Sequence, residues 1–475
     1  MAEEQLVRHR DLREYLALLE EHGVLRRVRR PADPAWEMSA VLGRLEEGGD
    51  FSTVLFEEVT DCPGWQVVGN LFAERSRLAL ALNVPEEEIL STFLKRIAAP
   101  IPARTVSSGP VKEHVLTGES ADLNRLPLVH HHDKDAARYI TSGVCVSRDP
   151  DTGTLGMGVY RFMVKDGKTL VPSLTQTSTI SDIFRRCEEK GQPLEIAILP
   201  GVEPLVTLAA SYGAPMGVDE LSLAGGLRGE PVDLVPCETV DLQVPALAEM
   251  CIEAEIHPGE RLPEAPFADQ SLTYSRVKHG PRVTVRAVTH RERPIHQFIF
   301  SGHPDVLHLM GVIFEATIYE AVQRVVPTVR AVHVPPSGAG FHCYVSMTRK
   351  PTTEGFETGE GKTALMAVLG AAPYIKLAVA VDDDIDVFDE QQILWAIATR
   401  FQPIDAHTGE PRYFVVPGAK GASPDPSAFH KAYPSSKLAL DCTVRVDLSE
   451  EMRFMFQKAE VPGKDRIDLE DYFDL

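Results

Sequence analysis

The chain has 475 residues, with 48 Lys plus Arg against 69 Asp plus Glu and a net charge of −21. A surface this acidic repels phosphate and lacks the clustered cations that displace counterions, which excludes nucleic acid and anionic membrane surfaces as partners. The apolar fraction of 44% is that of an ordinary globular protein, and at roughly 150 residues per domain the length calls for about three domains or a large two-domain body.

The first element read along the chain is a helix. Asp11 and Glu14 form a capping-box pattern, Leu12, Tyr15, Leu16 and Leu19 fall on one stripe, and Gly23 sits where the helix should stop. Strand-like pieces follow at Ser52–Phe56 and Trp65–Gly69, then a helix-like segment, Pro85–Ala98, and a Pro-containing connector over 101–117. From about 119 to 300 short β-branched runs alternate with turn residues: Ile140–Val146, Gly158–Val164, Leu194–Leu199 and Arg282–Val288. This texture predicts a barrel or strongly bent sheet, interrupted by helices over Ile180–Lys190 and Pro245–Ile252.

From Asp305 to Pro327 the pattern is apolar nearly all round, which predicts a buried helix. Strands Val329–Val334, His342–Met347 and Leu377–Val381 and a helix over Thr363–Leu369 suggest an α/β unit. After 408 the chain is rich in Gly, Pro and Ser and is read as a tail lying over another surface. Seven cysteines, an odd number with no C-x-x-C pair, argue against a disulfide scaffold and for a reducing cytoplasm. The N-terminus has no basic and apolar leader, and no run approaches the ~18 apolar residues of a membrane span.

Three motifs have plain readings. Gly361-Lys362-Thr363 looks like the end of a P-loop, but Phe356 stands where that loop needs a glycine, so it is read as a loop capping a helix. In His130-His131-His132, neighbouring side chains of an extended segment point to opposite faces, which argues against one shared ion. The acids Asp382, Asp383, Asp384 and Asp386 are read as a solvated strand exit.

A further set runs in order: Tyr139–Gly143 with Arg148–Gly153, Gly158-Val159-Tyr160-Arg161, Gly217-Val218-Asp219-Glu220 in a loop, and Glu264–Asp269. Val381–Asp386, Ile393–Arg400 and Lys437–Thr443 continue it. Together these resemble the UbiD family of reversible decarboxylases, which use prenylated FMN, over roughly 10–445 of the chain. The resemblance implies an α/β (α+β) fold in three parts. These are an N-terminal α/β region (1–118), a central split β-barrel that binds the flavin (119–304), and a linker helix with a C-terminal α/β oligomerisation domain and tail (305–475). It implies that the cofactor, as an azomethine ylide, adds to an α,β-unsaturated or (hetero)aromatic carboxylic acid, that carbon dioxide leaves, and that an acid protonates the carbon left behind.

By position, Arg161, Glu264 and Asp269 would form the acid–base set, with Asp269 as proton donor and Glu264 as the partner of Arg161; the plain alternative is a buried ion-pair network. Gly158, Val159, Arg161, Gln176, Thr177, Ser211, Tyr212, Glu220 and Lys376 would bind the cofactor. The family holds the flavin phosphate through Mn or Mg and a K ion. Of its three metal ligands only Glu220 remains, because Gly156 and Thr177 replace the usual Asn and His. A weak, water-completed divalent site or a metal-free phosphate site are both open. The resemblance also implies a flavin prenyltransferase as cofactor supplier and a homodimer or homohexamer. The alternative is the same scaffold with plain FMN in an altered or non-catalytic role.

Overall fold

The structure, a computed structural model, describes residues 7–174, 178–214, 217–348, 359–405, 408–417, 435–445, 448–459, 461–463, 466–469 and 472. Two compact units divide them: residues up to 317 with 334–341, and 318–333 with the residues from 342 onward.

The first unit opens on helix α1 (Leu12–Glu21). Asp11 caps it by accepting from the Glu14 amide at 2.8 Å, but Glu14 reaches back to the Arg10 amide, so the capping box is only half made. Gly23, just beyond the cap residue His22, takes the left-handed φ of +70° that suits glycine. A four-stranded sheet follows in the order Leu25–Val28, Thr53–Phe56, Gln66–Gly69, Ile295–Gln297. Its last strand comes from far down the chain and lies parallel to Gln66–Gly69.

The centre of this unit is a closed antiparallel barrel. Its strands are β1 (Tyr139–Arg148), β2 (Leu155–Val164), β3 (Thr169–Pro172), β4 (Leu194–Leu199), β5 (Met250–Glu264) and β6 (Lys278–His290). The ladder runs β5-β4-β1-β2-β3-β6, and β6 pairs back onto β5 to close the circle. Alternate residues serve different cores, as the period of a strand requires. Leu194, Ile196 and Ile198 of β4 join Phe162, Ile252 and Val285, whereas Ala197 and Leu199 join Leu205 and Leu221 of the helices beside the barrel. At Gly143 a Cβ would stand 2.8 Å from the Tyr160 carbonyl, so only glycine allows β1 and β2 to approach there.

Helix α2 (Thr179–Glu189) lies where periodicity places it, and α3 (Pro204–Ser211) and α4 (Glu220–Arg228) add two more. The expected helix over Pro245–Ile252 is not formed. Gln243–Pro245 is a short strand and Met250 begins β5, where Ile252 pairs with Ile198 of β4 and Val288 of β6. The Ala, Leu, Glu and Met of that stretch favour helix locally, and two-sided strand pairing overrides them.

Helix α5 (Pro304–Gln323) begins as its apolar run indicates. Its first turn carries Asp305, fully buried, which accepts from the amides of Phe72 at 2.7 Å and Phe300 at 3.1 Å. The second unit is a five-stranded sheet in the order Val329–His333, His342–Met347, Leu377–Asp382, Lys437–Asp441, Tyr413–Val416. The region expected to be a tail thus supplies two paired strands of this sheet, Lys437–Asp441 among its inner members. Gly361 is explained by packing: a Cβ there would sit 2.7 Å from an Asp441 oxygen. The acids after Leu377–Asp382 are tied down, Asp384 by Arg400 at 2.8 Å and Asp382 by the Val444 amide at 2.7 Å. No helix among the described residues is long and apolar enough to cross a membrane.

Burial raises the Asp305 carboxyl from its ordinary 3.8 to about 7, against the pull of the Phe72 and Phe300 amides. The fold therefore holds that proton more tightly than the unfolded chain does. This contribution is complete below pH ~4 and is lost as pH rises through about 7. Asp305→Asn should flatten the dependence of the urea midpoint on pH between 4 and 7; an unchanged slope would show that this carboxyl does not titrate there.

Candidate active site

Arg161 projects from β2 with its side chain mostly buried, while Glu264 ends β5 and Asp269 lies in the loop that follows. Arg161 Nε donates to Glu264 Oε1 at 3.2 Å and Nη1 donates to Asp269 Oδ2 at 2.9 Å. The guanidinium also lies over the Phe267 ring, 4.6 Å from its centroid. Burial works against the charge on Arg161, but Asp269 and Glu264 outweigh it and raise its pKa further. The two acids differ in access: the Glu264 side chain is 1% exposed and that of Asp269 is 45% exposed. Arg161 Nη2 and Glu264 Oε2 are buried with no hydrogen-bond partner among the described residues. Buried groups of this kind call for a polar partner, since leaving one unpaired costs about 1–3 kcal/mol or more.

Sequence reasoning did not single out the residue that holds this loop. Asp135, its side chain fully buried, accepts from the Ala268 amide at 2.8 Å and from the His132 amide at 3.0 Å. The Ala136 amide donates to the Pro266 carbonyl at 2.8 Å, and the Tyr139 and Phe267 rings pack with centroids 4.5 Å apart. The three-residue spacing from His132 to Asp135 reveals the local bond. Nothing local reveals the long-range one to Ala268. The histidine run is structural packing here: His131 lies against Phe298, and His132 stacks on Phe300 and His303.

Glu220 is not in a loop. It opens α4, with Asp219 as the cap that accepts from the Leu221 amide at 3.0 Å. Its own Oε2 accepts from the Met157 amide at 2.9 Å, and burial raises its pKa to about 7. A Cβ on Gly156 would stand 3.8 Å from the same oxygen, so the two positions are neighbours across the barrel edge. Gly158 faces Cys145 of β1 and is overlain by its own neighbour Tyr160, whose hydroxyl and ring occupy the space a side chain would need. Val159 packs toward the helices. Ser211 closes α3 by donating to the Thr207 carbonyl at 2.8 Å, and Tyr212 packs edge-on against Phe93 at 5.6 Å. Lys376 belongs to the second unit, at the start of Leu377–Asp382. Gln176 and Thr177 lie outside the described residues. Among the described residues no group of three metal-ligating side chains includes Glu220.

The position of Asp135 makes a stability prediction. Asp135→Ala leaves the buried Ala268 amide and the part-buried His132 amide without acceptors and should cost about 3 kcal/mol. Urea unfolding followed by a probe in the first unit measures it, and a loss within experimental error of zero would remove Asp135 from this role.

Comparison with known proteins places this geometry. The sequence matches the 3-octaprenyl-4-hydroxybenzoate carboxy-lyase N-terminal domain over residues 16–97, its Rift-related domain over 104–304 and its C-terminal domain over 307–442. The structure is similar to that of the UbiD-class enzyme HmfF from Pelotomaculum thermopropionicum in complex with FMN, with a TM-score of 0.88 and 36% identity over 98% of this chain and 100% of that one. An evolved dimeric form of HmfF in complex with prFMN gives 0.86 and 34% over 98% and 100%. Anhydromevalonate phosphate decarboxylase of Methanothermobacter thermautotrophicus is 34% identical over 388 residues, 82% of this chain and 87% of that protein. The chain belongs to the UbiD family of carboxy-lyases.

Proposed function

We propose that the protein decarboxylates, reversibly and without oxidation, an α,β-unsaturated or (hetero)aromatic carboxylic acid, with prenylated FMN as cofactor. The observation that carries this reading is Arg161, shared between Glu264 and Asp269 with Nη2 and Glu264 Oε2 left unpartnered. Those two atoms, with Glu220 at the far end of β2, suit a polar ligand lying along this strand. Gly158, Val159, Ser211 and Tyr212 of the first unit would line the flavin. Bound prenylated FMN supplies the electron sink that takes the pair released when carbon dioxide leaves.

The chain's own groups do the rest. Arg161 is permanently charged and planar, so its open edge grips a carboxylate and orients it. Glu264, enclosed behind it, fixes the guanidinium by its bond to Nε. When a substrate carboxylate joins, it shares the guanidinium with Glu264 and Asp269. Asp269 is the proton donor, because its carboxyl is part exposed and can be recharged from solvent. A set of this kind is of no use to a protein that only holds flavin.

The three sequence regions, 1–118, 119–304 and 305–475, would serve as N-terminal region, cofactor domain and oligomerisation domain. A flavin prenyltransferase would supply the cofactor, and a homodimer or homohexamer is the assembly. All seven cysteines are free, which suits the cytoplasm.

Asp269→Asn should keep flavin absorbance after coexpression with a flavin prenyltransferase and lose carbon dioxide release by at least a hundredfold. Turnover near that of the parent would take the donor role away from Asp269. A screen over cinnamates, phenolic acids and linear unsaturated acids identifies the substrate.

Gly156 offers no side-chain ligand beside Glu220, and Glu220 alone makes a poor divalent site. Flavin binding should therefore depend little on divalent metal. Chelator-treated protein is expected to retain most of its flavin by absorbance. Complete loss of flavin, regained only with Mn, would overturn this.

A further inference from the structure

Away from the Arg161 set, the chain brings two thiols together. Cys251 lies on β5, fully buried, and Cys237 follows the short strand Asp233–Pro236, where its amide donates to Leu242 at 2.9 Å and closes a turn. The two sulfurs and a Glu253 oxygen all lie within 4.8 Å of one another. Cys251 and Glu253 share a face of β5 because they are two residues apart.

Two thiols and a carboxylate could be a soft-metal site or a redox pair, and Glu253 decides between them. One of its oxygens accepts from the Glu238 amide at 2.8 Å and faces Lys112 Nζ at 3.4 Å. The other accepts from the Thr239 amide at 2.6 Å and the Thr239 hydroxyl at 2.7 Å. The carboxylate is saturated, and Lys112, 3.1 Å from Glu238 as well, already supplies the positive charge a metal would bring. What Glu253 does is pin residues 237–239 against β5, and this sets Cys237 beside Cys251.

We propose that Cys237 and Cys251 are a reversible dithiol–disulfide pair, closed by a peroxide-class oxidant. Cys237 is part exposed and is the sulfur an oxidant reaches. The contact with Cys237, and then burial, push the Cys251 thiol up against the pull of Lys112, so it keeps its proton until it reacts. The Cys237 thiolate attacks one peroxide oxygen, the O–O bond breaks, and a sulfenic acid forms as hydroxide leaves and takes up a proton. Cys251 then attacks the sulfenic sulfur, an S–S bond forms, and a second water leaves. Two thiols lose two electrons, and one peroxide becomes two waters.

The test uses the full-length protein, purified reduced and treated with hydrogen peroxide. After alkylation and non-reducing digestion, mass spectrometry should find a peptide pair joined through Cys237 and Cys251. Two of the seven thiols should be lost, and dithiothreitol should restore them. Cys237→Ser, at the more accessible position, should keep all its remaining thiols under the same treatment, and Cys251→Ser should show Cys237 as sulfenic acid or a mixed disulfide. Conversion of Cys237 in the parent straight to sulfinic acid without a link to Cys251 would overturn the proposal. So would stoichiometric zinc on the untreated protein that Cys237→Ser releases.

Discussion

Strand β5 is the constraint on which the rest depends. It spans fifteen residues and pairs with β4 on one side, over Ile252–Ile256, and with β6 on the other, and without the second pairing the barrel has two open edges. The register of these pairings fixes where its end falls. Glu264 stands opposite Lys278, and the loop beyond it returns Asp269 to Arg161 on β2. A slip of one residue would turn every β5 side chain to the other face and separate the acid from the guanidinium. The same register places Cys251 and Glu253 on a common face near the start of the strand. One backbone ladder thus sets two separate pieces of side-chain chemistry.

The chemistry at Arg161 is possible only because burial is uneven. A guanidinium taken from water needs anions beside it, and two are supplied. One is enclosed and one is half in solvent, so the first gives geometry and the second gives exchange. The bulk charge of −21 says nothing of this. It describes the surface, whereas the site has one fixed cation and unpartnered atoms turned inward.

Much of the architecture was legible in the sequence where strands alternate or runs are bounded by turn residues. Leu194–Leu199 and His342–Met347 are found as read, because β-branched and apolar residues there are flanked by Gly, Pro or polar breaks. Pro245–Ile252 was misread because local propensity favours helix while partners distant in sequence decide for strand. Glu220 was read as part of a loop, although Asp219 as cap, Leu221, Leu223 and Ala224, and Gly229 in the left-handed region give the signature of helix α4, which it opens. The meeting of Arg161, Glu264 and Asp269 came from ordered motifs and not from spacing, since more than a hundred residues separate β2 from the loop. Asp135 escaped altogether, for its use is a bond to the amide of Ala268, which no pattern near Asp135 encodes.

The strand Ile295–Gln297 returns after the whole barrel to complete the N-terminal sheet, with His296 opposite Val67. On the ribosome, Gln66–Gly69 therefore waits with one bare edge while roughly 230 residues are made, which at about 5–20 residues per second is a delay of ten seconds or more. Contacts so distant along the chain also form slowly even in the finished polypeptide. The N-terminal sheet is thus completed only once the barrel has been made.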